Sequence, residues 1–336
     1  MNTRERALGA FTGLALGDAL GMPTQSMSRE QIAAHYGPVR TLLDAVPEQP
    51  IAPSLPAGSV TDDTEQAVLV ARLLIEGGGR IDPMVFAKAL LDWEADMVRR
   101  NLSDLLGPST KRALQLLESG TPPEEAGRYG TTNGAAMRIT PVAIATPPGL
   151  DVLLDAVVAA SGLTHNTSLG IAGAAAVAAA VSAGIEGADL PAALDHAEQA
   201  AAAGARRGHW SAGGDIAARL RWVRGWVRGM DVPELADAVA EVVGTSVAAQ
   251  ESVVAAFALA EALGDRPVEA LALAAELGGD TDTIAAMCGA VLGAQHGLSG
   301  LPADLVATVR RVSHLDLGPV VDGLLDLRSS AQRSAR

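Results

Sequence analysis

With 336 residues the chain is long enough for one large domain or two ordinary ones. A formal charge of −14 excludes sequence-independent nucleic-acid binding, which needs many cationic phosphate contacts, and a lone cysteine, Cys288, excludes an internal disulfide. Hydrophobic residues make up 49% but aromatics only 3%, so Ala, Leu, Val and Gly must fill the core, which suits helices packed closely on helices.

In chain order, apolar residues recur at helical spacing over 5–20, 62–76, 83–98, 109–119, 134–146, 151–162, 168–184, 189–204, 213–228, 232–242, 249–263, 267–277, 281–296, 302–313 and 317–328. No run of alternating β-branched residues argues for a strand. Pro83 and Pro302 sit where a first helical turn accepts proline, and Gly77-Gly78-Gly79 ends a helix. The expectation is an all-α, compact, orthogonal multi-helix fold in one domain, 1–328, followed by a polar tail, 329–336, that frays.

The N-terminal segment resembles a signal peptide faintly, but Asp18 and the glycines at 9, 13, 17 and 21 break its apolar run. Those glycines, four residues apart, predict close helix packing; no strand precedes them and no lysine follows at the phosphate-loop position. The most apolar stretch, 169–185, is Ala/Gly-rich and short for a membrane span, so a cytoplasmic protein with no membrane partner is expected. The loop over 47–58 carries four prolines and leads into an acidic motif; it reads equally as a binding loop and as a surface excursion. In the basic segment Arg219 to Arg228, Trp222 and Trp226 share one helical face and Arg221, Arg224 and Arg228 share a solvated one.

Two acidic motifs open helices at opposite ends of the chain: Thr61-Asp62-Asp63-Thr64 and Gly278-Gly279-Asp280-Thr281-Asp282-Thr283. Asp and Thr offer oxygen, the donor that hard divalent cations take. Each motif alone also reads as a cap: Asp62 with Glu65 forms a capping-box pattern, and Asp280 and Asp282 suit the positive end of a helix dipole. The second motif exceeds what a cap requires, because two glycines precede it and an apolar, small-residue helix encloses it. Cys288 inside that helix reads as an inert buried thiol. Of the histidines, His165 stands apart, in a polar stretch before the Ala-rich helix, where a loop placement would let a ligand reach it.

Taken in order, Gly13 to Gly21, Thr61 to Thr64, Gly107 to Leu114, Asn133 to Arg138, Leu163 to His165, Glu251 to Val253 and Gly278 to Ile284 resemble the ADP-ribosylglycohydrolase family over nearly the whole chain. The resemblance implies an all-α fold and a hydrolase that cleaves a glycosidic bond at the anomeric carbon of ribose. It implies two Mg²⁺ or Mn²⁺ ions held by Thr61, Asp62, Asp63, Asp280, Asp282 and Thr283, with Asp62 or Asp63 as catalytic carboxylate. Asn133, Gly134, Met137, Arg138 and His165 would contact the substrate, an ADP-ribose-like small molecule or ADP-ribosylated protein. Two positions depart from the family pattern. Gln25 stands where a glutamate is usual, which makes it a candidate catalytic or substrate-binding group without charge, and Thr132 replaces a glycine, which predicts a bulkier pocket wall. Two alternatives follow: a glycohydrolase of a small ribosylated metabolite or nucleoside, and a ligand- or metal-binding protein without catalysis.

Overall fold

Helices built mostly from Ala, Gly and Leu bury on nearly every side, and such helices form the centre of this protein. The computed structural model describes residues 1–100, 102 and 106–334. Helix α1 (Thr3–Gly21) is buried from Ala7 onward. After a short turn come α2 (Arg29–His35), a long loop, α3 (Asp62–Glu76), α4 (Pro83–Arg99) and α5 (Pro108–Glu118). Three short helices, α6 (Pro123–Ala126), α7 (Gly134–Met137) and α8 (Thr140–Ala145), precede α9 (Leu150–His165) and α10 (Ser168–Glu186). The second half holds α11 (Leu190–Gly204), α12 (Ile216–Trp226), α13 (Val232–Asp237), α14 (Ala249–Ala262) and α15 (Pro267–Glu276). It closes with α16 (Thr281–His296), α17 (Ala303–Val312) and α18 (Leu317–Ser334). Among the described residues only two isolated β-bridges occur, Thr132 with Ala248 and Thr167 with His209.

The glycine ladder of α1 meets α16 backbone to backbone. A Cβ built on Gly9, Gly13 or Gly17 would lie 2.2, 2.1 or 2.1 Å from the carbonyl oxygen of Gly293, Gly289 or Ala285, and one on Gly21 would lie 2.4 Å from Cα of Asp282. The two helices therefore run antiparallel, and their contact carries Asp18 to the side of Asp282. Gly17→Ala forces a methyl into a backbone carbonyl, so it is expected to cost about 3 kcal/mol or more. Urea unfolding measures this, and an unchanged midpoint would contradict the interface.

α10 has the length and hydropathy of a membrane span, yet 94% of its apolar window is buried inside the fold, as a central core helix requires. Four expectations need correction. The helix expected over 134–146 is two helices broken at Arg138 and Ile139, and the one over 232–242 passes at Ala238–Val243 into a wider π turn. Arg224 leaves the solvated face assigned to it: it is buried against Glu198 and Glu261, where only ion pairing makes a guanidinium tolerable. The last helix runs on to Ser334, past the expected onset of fraying, while residues 335 and 336 of that tail lie outside the described residues. Trp222 and Trp226 do share a face, stacked with centroids 4.9 Å apart.

Candidate active site

Neither acidic motif caps its own helix. Thr61, the residue before α3, makes no side-chain cap bond, and Glu65 is engaged elsewhere, accepting from Trp93 Nε1 at 2.8 Å and from Arg100. The helix start is satisfied from α1 instead: Asp18 accepts the N–H groups of Thr61 and Thr64 and both of their hydroxyls. Asp280 likewise makes no cap bond to α16. The capping-box reading of the first motif thus fails, while Asp280, at the N-cap position, and Asp282, in the first turn, do sit at the positive end of α16 without a side-chain cap bond.

The motifs meet. Thr61 Oγ1 lies 3.3 Å from Asp63 Oδ2 and 3.4 Å from Asp282 Oδ2, and Thr283 Oγ1 lies 3.3 Å from Asp63 Oδ2. One carboxylate oxygen from each of Asp18, Asp63 and Asp282 falls within a 4.8 Å cluster, fully enclosed by protein. Backbone geometry places the second motif. Gly278 and Gly279 both adopt left-handed φ (76° and 77°), and a Cβ on Gly279 would sit 2.4 Å from the Thr245 carbonyl oxygen. Gly279 exchanges backbone hydrogen bonds with the turn at Ser26 and Met27, which fastens Gln25 beside Asp280.

A cavity of ≈ 200 Å³ opens above this cluster. Asp62, Asp280, Asp282 and Thr283 form its acidic side, with Gln25, Thr132, Asn133, Gly134 and Met137 around them. Ile51 of the proline-rich loop also lines it, and Gln49 anchors that loop by donating to the carbonyl oxygens of Met22 and Gln25. The loop therefore belongs to the site and is no surface excursion. Asn133 Nδ2 donates to Ser252 Oγ at 2.9 Å and to Asp280 Oδ2 at 2.5 Å, so it orients a carboxylate as well as forming wall. None of the described lining residues is basic.

Thr61 and Asp63 lie beneath the cavity floor rather than on its surface, and two expected substrate contacts lie behind its wall. His165 is the last residue of α9, not part of a loop, and it is completely buried. Its Nε2 faces Thr132 Oγ1 at 3.0 Å and its Nδ1 faces Thr164 Oγ1 at 2.7 Å, so both ring nitrogens are taken. Arg138 donates to Gln66 Oε1 and to Thr164 Oγ1 from an equally buried position. Because a guanidinium only donates, the Thr164 proton turns to Nδ1, leaving the His165 proton on Nε2. Burial, then Arg138, holds His165 well below the usual histidine range, so the ring is neutral. Burial pushes Arg138 down to about 10, still a cation at neutral pH.

The donor set fits a divalent cation. Asp63 Oδ1 and Asp282 Oδ1 are buried oxygens with no hydrogen-bond partner, which is costly unless a proton or cation meets them. In the metal-free protein burial, reinforced by neighbouring carboxylates, pushes Asp62, Asp63 and Asp282 well above the carboxylate range. Burial alone pushes Asp18 and Asp280 up to about 6. A raised carboxyl keeps a proton that the unfolded chain has lost, so this cluster's contribution to stability falls as pH rises above about 4 and through 6. A cation displaces those protons, and its stabilising effect must therefore grow with pH. At a hundredfold excess of Mn²⁺ over its Kd the melting midpoint is expected to rise by about 5 °C near pH 8 and by clearly less near pH 5.5. His165 titrates the opposite way but cancels in the difference with and without metal. A pH-independent shift in scanning fluorimetry would place the ion elsewhere.

The class of protein to which this all-α fold with its acidic cavity belongs is given by its similarity to known proteins. Residues 1–334 match the sequence pattern of the ADP-ribosylglycohydrolase family. The chain is 36% identical to the protein YegU of Escherichia coli (strain K12) over 98% of both chains. It is 31% identical to the ADP-ribosyl-[dinitrogen reductase] glycohydrolase of Rhodospirillum rubrum over 50% of this chain and 54% of that one. A solved structure described as an ADP-ribosylglycohydrolase-related protein complex superimposes with a TM-score of 0.66 at 25% identity, covering 97% of this chain and 99% of the other. The chain belongs to the ADP-ribosylglycohydrolase family. It is an enzyme of the glycosyl hydrolase type, with ADP-ribose derivatives as the family's kind of substrate.

Sequence reasoning missed Asp18 and Ser252. Asp18 left a signal: one carboxylate inside an otherwise apolar, glycine-laddered helix cannot be a surface residue.

Proposed function

We propose that this protein is a Mg²⁺- or Mn²⁺-dependent hydrolase that cleaves the glycosidic bond at the anomeric carbon of ribose, acting in the cytoplasm on ADP-ribosylated protein or an ADP-ribose derivative. The observation that carries the reading is the pair of partnerless oxygens, Asp63 Oδ1 and Asp282 Oδ1, directly beneath the cavity. Thr61, Asp62, Asp63, Asp280, Asp282 and Thr283 would hold two ions. Bound there, they supply orientation of sugar hydroxyls and a nucleophilic water at neutral pH.

The chain's own residues do the rest. Asp62 is the catalytic candidate that faces the cavity, where its carboxylate, freed of its proton by a cation, would accept one from water; Asp63 lies behind it. Gln25 Nε2 is buried, partnerless and on the cavity wall, so it donates to a substrate oxygen. Asn133 keeps Asp280 aimed, and Met137, Ile51 and Val247 exclude water from the ribosyl end. His165 and Arg138 act on the substrate only through the wall they support.

A second reading, a glycohydrolase of a small ribosylated metabolite or nucleoside, is favoured by the cavity's size. At ≈ 200 Å³ it falls below the ~300–1,000 Å³ of pockets that enclose a whole drug-sized ligand. The deciding experiment is chromatography of products from ADP-ribosylarginine, ADP-ribosylserine and nucleosides with Mg²⁺, with Mn²⁺ and with chelator. Metal-dependent release of ADP-ribose supports the first reading. Nucleoside turnover alone supports the second, and binding without turnover of any of them would sink both.

A further inference from the structure

We propose that Asp18 is a positioning residue of the acidic site: it draws the hydroxyl proton of Thr61 away from the cluster and so turns a bare Thr61 oxygen toward Asp63 and Asp282. This rests on the metal-site reading above. Thr61 Oγ1 has one proton and three carboxylate neighbours: Asp18 Oδ1 at 2.7 Å, Asp63 Oδ2 at 3.3 Å and Asp282 Oδ2 at 3.4 Å. The proton lies on the short contact, because a hydroxyl donates to the nearest charged acceptor. Thr61 Oγ1, Asp63 Oδ2 and Asp282 Oδ2 then face one another with the Thr61 proton pointing away from them and a Thr61 lone pair turned toward them, an arrangement that favours a cation.

Asp18 does this without offering itself as a ligand. A carboxylate has about four lone-pair sites. Asp18 fills them with the Thr61 hydroxyl and N–H and with the Thr64 hydroxyl and N–H. It is wholly buried, and Gly17 and Gly21 on either side bring its turn of α1 against Ala285 and Asp282. Asp18 is thereby locked between the start of α3 and the start of α16, and Thr61 follows it.

The test measures Mn²⁺ affinity by calorimetry without substrate, for Asp18→Asn, Thr61→Ala and the double variant. Each single change is expected to weaken binding about 10- to 100-fold, as loss of a group that orients a metal ligand does. The double variant is expected to be no weaker than the worse single one, because both remove the same oxygen from use. Unchanged affinity in Asp18→Asn overturns the proposal, and so do losses that multiply, since those make Asp18 a ligand in its own right. Should Asp18→Asn not fold, Thr64→Val strips one bond from Asp18 at a residue that does not line the cavity. It is expected to weaken Mn²⁺ about threefold or more, and native affinity in it also overturns the proposal. Asp282→Ala separates the two failures: if the unaltered protein binds Mn²⁺ no better than Asp282→Ala, the metal-site reading itself is wrong.

Discussion

Asp280→Ala combined with Asp282→Ala is expected to lower kcat/KM by about 10³-fold or more and to abolish divalent-cation binding, while leaving the metal-free protein at least as stable as before. The activity loss follows from removing charge that holds the ions: several kcal/mol of transition-state stabilisation corresponds to a factor of about 10³. The stability sign is the informative half. In the metal-free protein Asp282 is buried beside Asp280, Asp18 and Asp62, and all of these carboxylates raise its pKa or share its burial. Truncating such a group relieves repulsion and desolvation, whereas truncating a working helix cap costs about 1 kcal/mol. Activity and metal-free unfolding free energy should therefore move in opposite directions, strongly and weakly. If the double variant lost stability and kept its metal affinity, the motif would be structural.

The second large effect is at position 25. Gln25→Glu is expected to tighten Mn²⁺ binding and yet to reduce kcat/KM near pH 8 by roughly 30-fold, about 2 kcal/mol. The amide nitrogen of Gln25 is a buried donor without a protein partner, and it opens onto the same cavity as Asp62. Replacing it by a carboxylate adds an anion to an acidic wall, which attracts cations, but removes the donor that meets a substrate oxygen. Gln25→Leu separates the two contributions: it should lose turnover to a similar degree with metal affinity unchanged. Steady-state kinetics and calorimetry on both variants check this. Faster turnover in Gln25→Glu would show that the position works as a base and that its amide contributes nothing to substrate recognition.

Much of this site is legible in the amino-acid order, and the parts that are not share a cause. α3 begins and ends where its spacing predicts, Asp62–Glu76, because a strongly periodic segment closed by a run of glycines leaves little choice. The acidic motifs are legible as oxygen-rich and overloaded for caps. What sequence spacing cannot convey is which side chain a distant helix supplies. The start of α3 is capped by Asp18 from α1, forty-odd residues earlier, so local pattern assigned that task to Asp62. His165 follows the same logic: its neighbours Thr164 and Asn166 read as loop, but Thr132 from another segment and Thr164, itself held by Arg138, take its two ring nitrogens and permit burial at a helix end. The break at Arg138 and Ile139 did leave a signal, since Pro141 suits the first turn of a new helix and not the interior of a continuous one.

The backbone contact between α1 and α16 has a consequence for synthesis of the chain. Oxygens that face one another in the site come from residue 61 and residue 282, and the helix that aligns them is the first one made. At typical ribosomal speed the two are separated by an interval on the order of ten seconds or more. Throughout that interval the glycine face of α1 lacks α16, although Asp18 on the same helix can already meet the start of α3. A site that joins residues 61 and 282 is complete only once the start of α16 has been translated, so any cation held there would bind after that point.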